Sequence, residues 1–152
     1  MSFFETVIAA AIGFLIARIL DAFAFRGRSS VSQVDYDIKE IRESIFEIRT
    51  LANTYWAIDG SDESAKKLEA SINGRLSYVG TIIRHLFDSQ SASLKAVETD
   101  LNRFHEAVTG GKYGQLNRTP DLNRIASIEM TCFSFLHKVE KCKRKLPKPL
   151  FV

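Results

Sequence analysis

The first 25 residues form a long apolar stretch, which constrains the fold more than any other feature of the chain. Residues 6–17 carry no charge, and only Glu5, Arg18 and Asp21 interrupt the apolar run. A helix that rises 1.5 Å per residue needs about 20 residues to cross a hydrocarbon core of about 30 Å. We therefore predict that residues 1–25 form a single transmembrane helix.

Two other structures compete with a membrane span. A cleaved signal peptide would begin with basic residues, whereas the residues before this apolar core include no Lys or Arg. A buried core helix would make the chain a wholly soluble five-helix protein, since uncharged runs of a dozen residues are common in cores. A span is favoured because the apolar residues surround the whole helix, and because Arg18 and Asp21 lie on one face where they can neutralise each other.

The flanking charges indicate how the span is oriented. Arg26 and Arg28 follow it, so the positive-inside rule predicts a single-pass protein of the inner (cytoplasmic) membrane whose carboxyl-terminal part is cytoplasmic. Ala9, Gly13 and Ala17 recur every four residues, a pattern that lets helices pack closely in lipid. We predict that this face mediates homo-oligomerisation in the bilayer.

After the span, the pattern predicts an all-α fold: a juxtamembrane hinge at 26–34, a cytoplasmic antiparallel four-helix bundle at 35–146, and a basic and apolar tail at 147–152. Apolar residues at helical spacing place helices at about 35–57, 62–89, 91–109 and 120–143. Gly74 and Gly80 lie inside the second helix, where we expect close packing against a neighbour. Thr119 is the expected cap of the fourth helix, with Pro120 in its first position. One seam is a heptad pattern that fits either the bundle's own core or a coiled coil between chains: Ile38, Ile41, Ile45, Ile48, Ala52 and Tyr55.

Charge and cysteine content limit the possible functions. Residues 137–152 hold six basic residues against one acidic residue, whereas residues 35–136 hold 12 against 15, so the domain body is not a nucleic-acid type of basic surface. The basic tail fits contact with anionic lipid, binding of an acidic partner, or a solvated terminus. Cys132 and Cys142, ten residues apart on one helix, lie too far from each other for a disulfide and are expected to be reduced.

The best candidate ligand site is the glycine-rich loop GGKYGQLNR at 110–118. It leads into a helix amino end, where free N–H groups favour anions. A phosphate-type ligand is indicated, although the spacing is not that of a Walker loop, Asp121 opposes an anion there, and a plain connector between helices fits as well. The predicted ligand-binding residues supply charge, a stacking ring and amide groups: Lys112, Tyr113, Gln115, Asn117 and Arg118.

The pattern gives no support for catalysis, a cofactor or a metal site. His85, His105 and His137 are the three histidines, and none has metal-ligand spacing. His85 and Asp88 share a helix face but lack a nucleophile. We expect a protein that is not an enzyme.

The layout of MSFFETVIAAAIGFLIA followed by a small cytoplasmic domain resembles the small membrane effectors of bacterial antiviral systems, of the CRISPR-associated and cyclic-oligonucleotide-signalling types. The resemblance implies that a nucleotide messenger binds between subunits and that the membrane part then breaches the bilayer. We therefore expect a non-enzymatic, oligomeric membrane effector that senses an anionic ligand such as a cyclic oligonucleotide. The alternative is a membrane-tethered helical scaffold that recruits a cytoplasmic protein partner.

Overall fold

The computed structural model describes residues 33–146, and this part of the chain contains four α-helices and no strand. Helix α1 comprises residues 33–57, α2 is Ala65–Phe87, α3 is Ser91–Thr109 and α4 is Leu122–Lys143. The predicted span, most of the predicted hinge and the predicted tail therefore lie outside the described residues. The all-α class is confirmed for 33–146.

The four helices form an antiparallel bundle in which α1 lies beside α2 and α4, and α3 lies between α2 and α4. As residue numbers increase along α1, the residues that they contact in α2 and α4 decrease in number, as antiparallel packing requires. Asp100 is buried on α3 and holds α4 by an ion pair of 3.7 Å to Lys138. The polar pairs from α1 to α2 or α4 are Glu40–Tyr78, Glu47–Arg75, Tyr55–Glu69, Arg42–Glu140 and Asn53–Glu129.

The core is built from the apolar seams that the sequence pattern marks. The heptad seam of α1 packs inside its own bundle, because all six of its residues are buried there. The other helices contribute branched and aromatic side chains, and Phe104 and Phe135 stack with ring centroids 6.4 Å apart. The largest fully buried core residues from α2, α3 and α4 are Phe87, Phe104, Phe135, Ile72, Ile83 and Ile128.

Two helices begin later than predicted. Helix α2 begins at Ala65 because the Asp62 carboxylate accepts hydrogen bonds from the N–H and hydroxyl of Ser64 and so stabilises a turn first. Helix α4 begins at Leu122, so the prediction that Thr119 caps it was wrong. Asp121 is the cap, and its carboxylate accepts a hydrogen bond from the Arg124 N–H at 2.9 Å.

The prediction of close packing at the glycines of α2 was also wrong. A Cβ atom built on Gly74 would meet nothing within 4 Å, and one on Gly80 would meet only Arg84 Nη2, at an ordinary contact distance of 3.7 Å.

Over the stretches described, no helix has the combination of length and apolarity that crossing a bilayer requires. The predicted span at 1–25 and its Ala9, Gly13 and Ala17 face fall outside those stretches.

Candidate functional site

The loop between α3 and α4 folds across one end of the bundle and is fastened to the end of α1. The Gly60 N–H donates to the Arg118 carbonyl at 2.8 Å, and the Asp121 N–H donates to the Trp56 carbonyl at 2.9 Å. Gly111 and Gly114 have φ values of 65° and 77°, which other residues rarely adopt. These contacts hold the glycine-rich segment in a defined conformation.

Arg118 is the central residue of this arrangement, since its side chain is only 1% exposed. Its Nη1 donates to the Ile58 carbonyl at 2.7 Å and so closes the carboxyl end of α1. Its Cζ lies 3.9 Å from the centre of the Tyr55 ring and 5.1 Å from that of Trp56. Its Nε and Nη2 are buried and make no hydrogen bond within the described part of the chain. The guanidinium is therefore stacked on aromatic rings but incompletely hydrogen-bonded.

Two tyrosines near Arg118, Tyr55 and Tyr113, form a hydrogen-bond network with Glu69. The Tyr55 hydroxyl donates to Glu69 Oε1 at 2.9 Å and accepts the Gly114 N–H at 2.8 Å. Burial raises the pKa of Tyr55, which the Gly114 hydrogen bond and the nearby Arg118 charge only partly oppose. Burial also raises the pKa of Tyr113, with a further contribution from the Glu69 carboxylate. Both hydroxyls therefore stay neutral and act as hydrogen-bonding groups.

The structure separates the five predicted ligand-binding residues. Lys112, Gln115 and Asn117 are exposed, Tyr113 is half-buried and Arg118 is buried. The Tyr113 hydroxyl is directed toward α2, where it donates to the Glu69 carbonyl at 3.3 Å. Of the five, Lys112 and Arg118 line a common cavity.

This cavity, of about 240 Å³, lies between the loop and the amino end of α4. Its lining includes Trp56 and Arg124, which the sequence did not single out. Arg124 lies near the Trp56 ring, with Cζ 5.2 Å from the ring centre, and its Nη1 donates to the Glu106 carbonyl at 3.0 Å. The only sequence signal for Arg124 is that it follows the loop within the first turn of a helix. Trp56 gave no signal, because an apolar residue near a helix end is expected to be core.

The charge of the cavity lining is positive. Lys112, Arg118 and Arg124 contribute three positive charges and Asp121 one negative charge, which gives +2. The amino end of α4 adds partial positive charge from the helix dipole. The field of a buried guanidinium is weakly screened by solvent, so Arg118 acts on the cavity even where its nitrogen atoms are covered. The arrangement is suited to a small anionic group.

No cluster of His, Cys, Asp or Glu able to hold a metal ion occurs among residues 33–146. His85, His105 and His137 are all exposed, and Cys132 and Cys142 are both buried, free thiols.

Comparison with protein families, with characterised proteins and with solved structures finds no match for this chain.

Proposed function

We propose that the helical domain is an anion sensor that binds a phosphate-type group in the cavity lined by Lys112, Arg118 and Arg124. The observation that supports this most directly is the buried guanidinium of Arg118, which has no carboxylate partner in the described chain and leaves two nitrogens without hydrogen bonds. A buried charge of this kind is costly unless an opposite charge compensates it. An anion in the adjoining cavity supplies that charge.

The volume of the cavity limits the size of the group that it can hold. The cavity volume accommodates a phosphate or pyrophosphate group, and Trp56 offers a ring beside it. Lys112 stands at the exposed side, where it can meet an anion as it enters. A larger ligand such as a cyclic oligonucleotide would place one phosphate in the cavity and the rest outside.

Within the whole protein, this site serves a non-enzymatic membrane effector. Residues 1–25 are the proposed span, which assembles through Ala9, Gly13 and Ala17 and acts on the bilayer when the ligand binds. The support for this part of the proposal is the sequence of the apolar stretch and the resemblance in layout to antiviral membrane effectors. Ligand binding must favour one conformation of the bundle over another, since a ligand with equal affinity for both shifts nothing.

Fluorescence of Trp56 tests the site, because Trp56 is the only tryptophan in the chain and lines the cavity. The full-length chain in nonionic detergent is titrated with pyrophosphate and, separately, with cyclic di-AMP, with excitation at 295 nm and parallel calorimetry. We expect saturable quenching. Lys112→Ala should weaken binding about tenfold, because one charged hydrogen bond contributes about 1.5 kcal/mol.

Asp121→Asn provides the opposite test. Asparagine caps a helix as well as aspartate does, so the start of α4 is kept while the only acidic group in the cavity lining is removed. We expect tighter anion binding. Lys95→Ala is the matched control, because Lys95 is an exposed lysine about 20 Å along α3 from the cavity. Equal affinities of the wild type, Lys112→Ala and Asp121→Asn would exclude this site.

A further inference from the structure

A second cavity lies between α2 and α3, and we refer to it as the α2–α3 groove. Its volume is about 350 Å³, within the range of roughly 300–1,000 Å³ that small-molecule sites occupy. Leu76 and Leu101 supply its apolar surface. Its polar lining contains no carboxylate and consists of Asn73, Ser77, Arg84, Asn102 and His105. None of these residues lines the candidate anion site, so the groove is a separate site.

Arg84 is the cation of this groove. Its Nε donates to the Gly80 carbonyl at 3.2 Å, so the guanidinium lies along α2 beside Gly80. It forms no ion pair within the described part of the chain, whereas Arg42, Arg49 and Arg75 each pair with a glutamate. A planar guanidinium with unpaired Nη groups can bind a phosphate through two parallel hydrogen bonds. The groove therefore presents a positioned cation that the chain itself does not neutralise.

Gly80 leaves open space in the wall of the groove, next to this guanidinium. Glycine inside a helix is less stable than alanine, so its presence there needs a reason. Packing within the described chain is not that reason, because the nearest atom to a Cβ built on Gly80 is Arg84 Nη2, at 3.7 Å. The missing side chain allows a ligand to approach the helix backbone beside the cation.

The rest of the polar lining offers both hydrogen-bond donors and acceptors without charge. Asn73, Ser77 and Asn102 are exposed. The Thr109 hydroxyl donates to the His105 carbonyl at 2.9 Å and lies 3.1 Å from Nδ1 of the same residue. Because this hydroxyl has one proton, Nδ1 donates to it, and Nε2 of the neutral ring is left as an acceptor. Such a lining suits a ligand with several hydroxyl groups.

We propose that the α2–α3 groove binds a small phosphorylated polyol such as a sugar phosphate. Its phosphate pairs with Arg84, and its hydroxyl groups pair with the amide, hydroxyl and imidazole groups. One cation without an acidic neighbour in the lining suits a single anionic group. Asn73 lies seven residues before Gly80, so the two ends of the site are about 10 Å apart along α2, enough for a phosphorylated sugar.

Calorimetry on the full-length chain in nonionic detergent tests this site with glucose 6-phosphate as the probe. Glucose and inorganic phosphate are the matched probes, because each carries only one half of the proposed contacts. We expect saturable binding of glucose 6-phosphate and at least about tenfold weaker binding of either half. Arg84→Gln should weaken the binding of glucose 6-phosphate about tenfold, since it removes the charged hydrogen bonds to the phosphate.

Gly80→Ala separates binding from folding. The added methyl group occupies the space of the ligand, so we expect about tenfold weaker binding of glucose 6-phosphate. The urea midpoint should rise in the same variant, because alanine favours the helix. Gly74→Ala is the matched control, since Gly74 lies in the same helix but does not line the groove. It should raise the urea midpoint and leave the affinity unchanged.

Lys112→Ala distinguishes this groove from the candidate anion site. Lys112 lines only the latter of the two, so its removal should leave the binding of glucose 6-phosphate unchanged. Absence of saturable heat at millimolar glucose 6-phosphate would overturn the proposal, as would equal affinities of the wild type, Arg84→Gln and Gly80→Ala. Weaker binding in Lys112→Ala with none lost in Arg84→Gln would assign the sugar phosphate to the anion site and would overturn the proposal as well.

Discussion

The buried guanidinium of Arg118 acts on two parts of the molecule at once. Its Nη1 hydrogen bond to the Ile58 carbonyl closes α1, and its stacking on Tyr55 fixes the loop to the bundle. Cation–π stacking contributes about 2 kcal/mol when the cation is desolvated. The same residue makes the cavity electropositive. Stability and the proposed anion binding would therefore be linked through one side chain.

Arg118→Met separates these effects. Methionine fills much of the same space without charge, so we expect the free energy of unfolding to fall by about 1–3 kcal/mol, through the loss of the hydrogen bond to Ile58 and of the ring contact. The decisive measurement is urea unfolding with and without pyrophosphate. Pyrophosphate should stabilise the wild type and leave Arg118→Met unchanged, as linkage requires for a ligand bound only by the native state. Equal stabilisation of both proteins would contradict the role of Arg118 in binding.

At the scale of single residues, the sequence indicated which side chains the candidate site contains but not which of them are buried. The glycines, basic residues and following helix start of the 110–118 loop indicated an anion site, and Lys112 and Arg118 do line one cavity. The burial of Arg118 was not predictable, because it depends on Tyr55 and Trp56, about 60 residues earlier in the chain. Tyr113 was expected to stack on a ligand, yet its hydroxyl is hydrogen-bonded to α2. Contacts between distant segments decide such roles.

At the scale of the helices, apolar periodicity was a reliable guide because one side of each helix must be buried. The α3 bounds Ser91–Thr109 agree with the prediction, and the α1 seam is buried throughout. Periodicity failed at Leu122, whose spacing from Ile125 and Ile128 predicts a core position on α4, although the residue is 77% exposed. It sits in the first turn of α4, where helical spacing alone cannot tell whether a neighbouring helix extends far enough to cover it.

The glycines of α2 give a prediction that belongs to this helix alone. Gly74→Ala and Gly80→Ala should each raise the free energy of unfolding by about 0.5–1 kcal/mol, because alanine has the higher helix propensity and no atom obstructs the new Cβ. Urea unfolding measures the change. Gly60→Ala is the contrasting variant: its Cβ would collide with the Gln115 carbonyl and crowd Arg118, so we expect a loss of about 1–3 kcal/mol. A gain in stability at Gly60, or a loss at both Gly74 and Gly80, would contradict these contacts.

At the scale of the whole molecule, α1 is the described helix that lies nearest in the sequence to the amino-terminal stretch. Trp56, near its carboxyl end, lines the cavity, and Ile38, the first buried residue of its seam, lies about 27 Å earlier along the helix at 1.5 Å per residue. The four isoleucines of its seam are buried and hold it as a rigid element. Under the effector proposal, ligand binding would therefore be transmitted by a displacement of α1 as a unit, with its neighbours α2 and α4 repacking around it.

Attachment to the membrane is the prediction on which the effector proposal depends. Cells expressing the full-length chain are fractionated, and the membrane pellet is washed with 1 M salt, with carbonate at pH 11, and with nonionic detergent. A transmembrane helix at residues 1–25 should be released by detergent alone, since insertion of about 20 apolar residues resists both high salt and alkali. A chain lacking residues 1–25 is the control and should appear in the soluble fraction. If the basic residues 138–148 hold this shortened chain to anionic lipid, salt alone should release it. Release of the full-length chain by salt would show that these residues do not span the bilayer, and the anion-binding bundle would then have to act without a membrane anchor.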